Sequence, residues 1–131
     1  DHAVDFDETL VGIGSYMRDP GRAATMQLLA QDDPPTAIFA GNDSSAIGAM
    51  DAAREQGLSL PNDLSVIGFD DVSESRTVLP SLTTVHVPLQ LMAREAVRML
   101  LKRLEDANAR VRSVTLATQL IIRESTAPPR G

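Results

Sequence analysis

Two short apolar runs in this chain each end in a small polar cluster. Ala37-Ile38-Phe39-Ala40 leads into Gly41-Asn42-Asp43, and Ser65-Val66-Ile67-Gly68-Phe69 leads into Asp70-Asp71. Amide and carboxylate side chains supply the hydrogen bonds that hydroxyl-rich ligands need. A third run, Leu10-Val11-Gly12-Ile13-Gly14, is followed by Tyr16, whose ring face can pack on the C–H side of a sugar-like ring. If the three runs are parallel strands, Tyr16, Asn42 and Asp70 converge on one sheet edge, where open α/β folds bind ligands. Asp residues without a cation beside them repel anions, so a neutral ligand is favoured. Asp43 and Asp71 have a second use: they suit a helix cap, a turn, or support behind the contacting residues.

Enzymatic readings find little. No nucleophile elbow or P-loop pattern occurs, and Gly12-Ile13-Gly14 lacks the later glycine of a dinucleotide loop. His2 and His86 are too far apart in sequence to suggest a metal site, and His86 reads as a structural histidine. Asp70 and Asp71 could hold a metal, as in a phosphoryl-accepting domain. That chemistry needs a well-placed lysine, and the sole lysine is Lys102. No catalytic residue, cofactor or metal is therefore expected.

The surrounding pattern supplies the positioning elements. Residues 36–40 and 64–69 read as strands buried on both faces. Between them, Ala46, Ile47, Met50, Ala53 and Arg54 recur with helical spacing and Gly57 stops the helix. Residues 10–14 predict a further strand. Asp19-Pro20 predicts a helix start, with Asp19 as cap and helix through residues 22–31. Residues 82–87 are β-branched and extended, and Pro88 opens the longest helix. Its apolar stripe is Leu89, Met92, Ala93, Ala96, Val97, Leu100, Leu101 and Leu104. Residues 105–113 form a charged connector, 114–124 a last strand region and 126–131 a tail.

Bulk properties narrow the classes further. A length of 131 residues suits one domain or a piece of a larger one. A net charge of -6 with scattered arginines opposes a grip on nucleic acid by this segment alone. No cysteine is present, which excludes disulfides and thiolate metal sites. No apolar stretch is long enough to span a bilayer. The first residues show no signal-peptide pattern, and the absence of an initial Met leaves room for residues upstream.

Taken in order, these blocks resemble the lactose-repressor/galactose-repressor (LacI/GalR) family of transcription regulators. The resemblance is carried by Phe39-Ala40-Gly41-Asn42-Asp43, by Ser65-Val66-Ile67-Gly68-Phe69-Asp70-Asp71 and by Pro80-Ser81-Leu82-Thr83-Thr84-Val85. The ending Leu120-Ile121-Ile122-Arg123-Glu124-Ser125-Thr126 adds to it. It implies an α/β, periplasmic-binding-protein-like (type I) C-terminal lobe, a mostly parallel sheet flanked by helices. The N-terminal lobe and the helix-turn-helix would lie outside these residues. By the same resemblance, the C-terminal lobe covers 9–81 and 114–126. Residues 82–113 form a crossover strand, helix and connector that normally belong to the other lobe. Tyr16, Asn42 and Asp70 are implied as contacts to a sugar-like effector, while Val87 stands where family members often carry a polar residue. The resemblance also implies a cytoplasmic homodimer, with Ile47, Met50 and Val78 at its interface, that reaches operator DNA through the N-terminal domain. A sugar-binding protein of an ABC-type transporter shares the fold and is the alternative. A stripe of eight apolar residues deprived of its usual partner sheet is an association hazard. The isolated segment should therefore self-associate, swap the helix or refold it against its own lobe. A dilute monomer in sedimentation that binds no hydrophobic dye would defeat this expectation.

Overall fold

A computed structural model describes residues 6–106 and 112–128. Its centre is a four-stranded sheet in the order β1-β2-β3-β4: Ala37–Phe39, Ser65–Asp70, Thr83–His86 and Gln119–Ile121. β1, β2 and β3 run parallel, and β4 is antiparallel to β3. The β-α-β unit read from the sequence is present. Helix α2, Asp43–Glu55, connects β1 to β2 and packs on the sheet. Gly57, at φ +74, follows α2 where the chain needs a left-handed residue.

The core lies between α2 and the sheet. Ala46, Ile47, Ala49, Met50 and Ala53 of α2 meet Leu64, Val66 and Leu82, all buried. Ile47 and Met50 are at most 2% exposed. The expectation that they form a dimer surface is therefore corrected: they are the centre of the chain's own core. Val78 is half-buried against the same cluster. An apolar helix stripe is compatible with either use, and contact with the sheet decides it. The strands are also not buried on both faces. In β2, Val66 and Gly68 are buried beneath α2 while Ser65, Ile67 and Phe69 stay partly open, so one face of the sheet carries the core.

Helix α1, Arg18–Leu29, crosses α2 and not the sheet. It starts before the expected point. Met17 is the N-cap, and Asp19 and Pro20 lie inside the first turn, where an acidic side chain suits the helix dipole. Close approach explains the glycines at the crossing. A Cβ on Gly48 would collide with the Arg18 carbonyl oxygen, and one on Gly21 would come within 2.7 Å of the Ser45 Cα. Arg18 and Arg22 then pair with Asp51 and Glu55 across the crossing, at 2.7 and 2.9 Å.

Residues 10–14 do not form a strand. A 3-10 turn, Glu8–Leu10, leads into extended chain with no ladder partner among the described residues. The boundary placed at residue 82 is also too early. β3 pairs with β2 from Thr83 to His86, and Leu82, Thr83 and Thr84 are buried, so this strand is integral to the lobe. The last strand is shorter than its apolar pattern, and the chain after it wraps beside β2 and β3. Ser125 is fully buried: its hydroxyl donates to the Val66 carbonyl at 2.5 Å and accepts from the Thr83 N–H at 2.8 Å. Helix α3, Leu89–Glu105, buries no residue and packs closely on no other element. Leu89, Met92, Val97, Leu100, Leu101 and Leu104 are all exposed, so the helix has not refolded against the lobe.

The α1–α2 crossing offers a direct check. Gly48→Ala should destabilise the fold by about 2–3 kcal/mol through overpacking, measured by chemical denaturation. An exposed control such as Ala23→Gly should change it by about 1 kcal/mol or less.

Candidate functional site

The loops after β1 and β2 and the turn at Ser15-Tyr16 meet at the C-terminal edge of the parallel strands. The backbone there is unusual. Ser15, Tyr16, Asp70 and Asp71 have φ of 48°, 56°, 108° and 59°, all in the left-handed range that residues with a Cβ avoid. Such conformations cost on the order of 1–3 kcal/mol each and persist where neighbours enforce them. Four in two adjoining loops mark this edge as the part of the molecule held against its local preference.

The Tyr16 turn is held by α2. Asn42 is the N-cap of that helix: its Oδ1 accepts from the Ser45 N–H at 2.9 Å, and its Nδ2 donates to the Tyr16 carbonyl at 2.9 Å. The Ser45 hydroxyl adds long contacts to the Met17 and Gly14 carbonyls at 3.4 and 3.5 Å. The Tyr16 ring lies beside Gly41, where an added Cβ would sit 3.1 Å from Cε1. Tyr16 is 72% exposed, so a ring face remains available for stacking.

The cap of α2 therefore falls to Asn42, which was expected as a contact, and not to Asp43. Asn42 spends both ends of its amide on the cap and the Tyr16 turn. Asp43, expected as a cap, a turn residue or support behind the contacting residues, is the first residue of α2 and is wholly buried. One carboxylate oxygen accepts from the Thr84 hydroxyl at 2.5 Å, and the other accepts from the Val72 N–H at 2.8 Å. The dipole at the start of α2 further favours its charge. Gly68 is required beneath it, since a Cβ there would collide with Asp43 Oδ1. Asp43 thus ties α2 to β3 and fixes the chain just past Asp71.

Asp71 fixes that turn from the other side. Its side chain is 4% exposed and pairs with Arg123 Nη2, with Arg76 Nη2 at 3.0 Å and with His86 Nδ1 at 3.0 Å. Ser75 approaches the same carboxylate at 3.4 Å. Burial pushes its pKa up, but hydrogen bonds from Arg123, Arg76 and His86 and the Arg123 charge outweigh burial and bring it to about 2. Asp71 thus sits in an ion-pair cluster behind the edge and caps no helix among the described residues. Arg123 completes the cluster by donating to the Leu82 carbonyl at 2.7 Å and to the Ser75 hydroxyl at 2.9 Å.

Asp70 differs from both neighbours. Its carboxylate makes no hydrogen bond or ion pair among the described residues. Burial, then the charge of Asp43, pushes its pKa above the ordinary value. Partial burial and a nearby like charge act against its ionised form, and its backbone is strained whatever the charge. That arrangement can accept hydrogen bonds from a neutral donor or hold a proton. No group of three His, Asp or Glu gathers among the described residues to hold a metal ion, and the oxygens of Asp71 are already engaged by cations.

A cavity of about 490 Å³ adjoins this edge. It shares Tyr16 and Gly41 with it but runs down between residues 10–14 and β1, away from Asp70. The sequence reading missed Arg123, Thr84 and Ser125. Arg123 carried one usable signal, as the lone cation directly after the apolar run Leu120-Ile121-Ile122. Thr84 and Ser125 look like ordinary strand and tail residues until the sheet places them.

Residues 1–126 match the model of a periplasmic binding protein-like domain. The HTH-type transcriptional repressor PurR of Escherichia fergusonii is 41% identical over 95% of this chain and 36% of its own length. PurR of Erwinia tasmaniensis is 41% identical over 87% of the chain and 33% of its own. This chain thus spans about a third of the length of those relatives. Among solved structures, a transcriptional regulator CelR-cellobiose complex superposes with a TM-score of 0.88, 35% identity and coverage of 92% of this chain and 37% of that one. A LacI family regulator from Enterococcus faecium with bound ribose gives 0.81, 30% identity and coverage of 88% and 42%.

The Asp71 cluster sets a pH signature. With the folded carboxyl at about 2 and an ordinary value of 3.8, its stabilising share is complete above about pH 4. That share is lost as pH falls from about 4 to 2. Asp71→Ala should cost about 3 kcal/mol at neutral pH, because Arg123 loses its buried partner. The variant's stability should also vary less with pH across that acid window, in denaturant titrations run at each pH.

Proposed function

The chain belongs to the periplasmic binding protein-like domain family, in the form carried by LacI/GalR-type regulators, and from that premise we propose that its sheet edge is one wall of an effector site. The effector is a neutral, hydroxyl-rich molecule of the sugar class. Asp70 accepts hydrogen bonds from its hydroxyls, the Tyr16 ring covers an apolar face, and Asn42 shapes the wall from behind by holding the Tyr16 turn. The observation that carries this reading is Asp70, a partly buried carboxylate on strained backbone without a partner among the described residues. A hydroxyl donor relieves that situation, whereas an anion would worsen it. Two structural neighbours whose names include cellobiose and ribose fit the same ligand class.

In the whole protein, effector binding would close a second lobe over this wall and shift a homodimer between operator-binding geometries. Couplings of this kind are typically about 1–3 kcal/mol. Operator contact would come from residues outside this segment, in keeping with its net charge of -6. The reading is of a cytoplasmic regulator and not an enzyme. No helix among the described residues is long and apolar enough to cross a membrane. The dimer surface does not involve Ile47 or Met50, which the core has taken.

Asp70→Asn separates binding from folding. The folded state disfavours the ionised carboxylate, so the destabilising contribution is present above the raised folded pKa and absent below 3.8. Removing the charge should leave the free protein as stable or more stable at neutral pH. It should also weaken a sugar found by thermal-shift screening of the full-length protein by about 10–100-fold. Calorimetry showing unchanged affinity in Asp70→Asn would remove Asp70 from the site.

A further inference from the structure

The Asp71 cluster contains one group whose positive charge is not needed there. Asp71 is already met by two guanidinium groups, Arg123 on one oxygen and Arg76 on the other, and His86 Nδ1 shares the second oxygen at 3.0 Å. The Asp71 carboxyl is held down to about 2, so near neutral pH it is ionised and only accepts hydrogen bonds. His86 Nδ1 therefore carries a hydrogen whether the ring is neutral or charged. Nε2 has no partner among the described residues, and it is the atom that gains or loses the proton. The side chain is 42% exposed, so that proton exchanges with solvent. Imidazole is the side chain whose charge ordinarily changes between about pH 5 and 8.

The groups around His86 decide what its charge would meet. From β2 and the turn after it come Asp70, its register partner across the parallel ladder, and Asp71. The 3-10 turn Ser73–Arg76 contributes Arg76, while Glu74 of that turn is paired with Arg18 at 3.2 Å. β4 places the neutral Gln119 opposite His86, and Arg123 follows β4. α2 contributes Asp43, bonded to the Thr84 hydroxyl two residues before His86 and on the same face of β3. The first turn of α3 holds no charged residue. Three carboxylates thus stand against two guanidinium groups, and one negative charge is left over while His86 is neutral.

That excess belongs to Asp70. Asp71 has its two arginines, and Asp43 has the Thr84 hydroxyl, the Val72 N–H and the start of α2. Asp70 has no such partner among the described residues, and strand spacing puts its Cα about 4.8 Å from that of His86. Charges this close lie well inside the distance over which salt screens, so they interact even at physiological ionic strength.

We propose that His86 is a proton-operated countercharge for this edge: charged, it offsets the Asp70 carboxylate, and neutral, it leaves that carboxylate uncompensated. Its bearing on binding rests on the effector reading above. A neutral, hydroxyl-rich molecule that strips water from Asp70 strengthens the attraction between the two groups, so it binds more tightly while His86 is charged. The edge then responds to mild acidification as well as to its effector.

The coupling is measurable by NMR without any ligand. In the full-length protein with isotope-labelled histidine rings, the His86 signal is identified by its absence in His86→Gln and followed across its titration. Asp70→Asn should lower the pH of the His86 midpoint by about half a pH unit. Glu55→Gln, which breaks a surface pair with Arg22, should leave that midpoint in place. Reciprocally, the Asp70 carboxyl should titrate at a higher pH in His86→Gln than in the wild type. A His86 midpoint that Asp70→Asn does not lower, or an Asp70 titration indifferent to His86→Gln, would overturn the proposal. No sugar is present, so the result is independent of whether Asp70 touches an effector, which the calorimetry of Asp70→Asn decides separately.

Discussion

The buried carboxylate of Asp43 is the contact on which the site geometry depends. A charge removed from water needs compensation, and this one receives it from the Thr84 hydroxyl, the Val72 N–H and the start of α2. Those three partners belong to β3, to the loop after β2 and to the helix between β1 and β2. Satisfying one side chain therefore sets three elements relative to one another. The same requirement forces a glycine at position 68, because the carboxylate occupies the space a Cβ would take. It also leaves Asn42 to cap the helix, and the second end of that amide then carries the Tyr16 turn.

Asp71 and Asp70 follow from this constraint in opposite ways. With Val72 tied to Asp43, the turn after β2 is fixed at its far end, and Asp71 is drawn inward to Arg123, Arg76 and His86. Arg123, Arg76, His86 and Ser75 surround Asp71, while no side chain among the described residues pairs with Asp70. Three adjacent carboxylates in space thus have three distinct states: one buried and hydrogen-bonded, one buried and ion-paired, one strained and unpartnered. Of the three, the third alone has both oxygens unengaged among the described residues. Stability is gathered in the first two, and it is what permits the third to remain in an unfavourable conformation.

The β-α-β unit was legible because its evidence is local. Strand-length apolar runs, a helical repeat and Gly57 all lie within about thirty residues of one another. The convergence of Asn42 and Asp70 was legible for the same reason, since they follow parallel strands that share an edge, but Tyr16 reaches that edge through the Asn42 amide and not at the end of a strand. The division of labour between Asn42 and Asp43 was not. Both are good caps, and the choice depends on where α2 starts and on Thr84, 41 residues away. Ile47 and Met50 show the limit of periodicity: it identifies an apolar face but not what covers that face. Residues 10–14 show a related limit, since a strand sequence forms a strand only beside a partner edge. Arg123 was quoted for its place in a resemblance, yet its pairing with Asp71 depends on the chain after β4 turning back along β3.

An effector wall of this kind works only with something in front of it. Hydrogen bonds made in water contribute about 0.5–1.5 kcal/mol net, and Tyr16 stands largely in solvent. On the proposed reading, Asp70 and Tyr16 alone would give weak binding, and tight binding would require that a second surface exclude water. The path by which such a surface would feel the ligand is visible in the chain. His86 contacts Asp71, the residue directly after Asp70, and α3 begins three residues later, past Val87 and Pro88. A helix that exposes its apolar stripe and docks on none of the elements described here is thus joined by two residues to the cluster that holds the turn carrying Asp70. Whatever covers α3 is mechanically tied to the Asp70 turn, and a ligand that changes the packing of that turn acts on it through the shortest covalent route the fold provides.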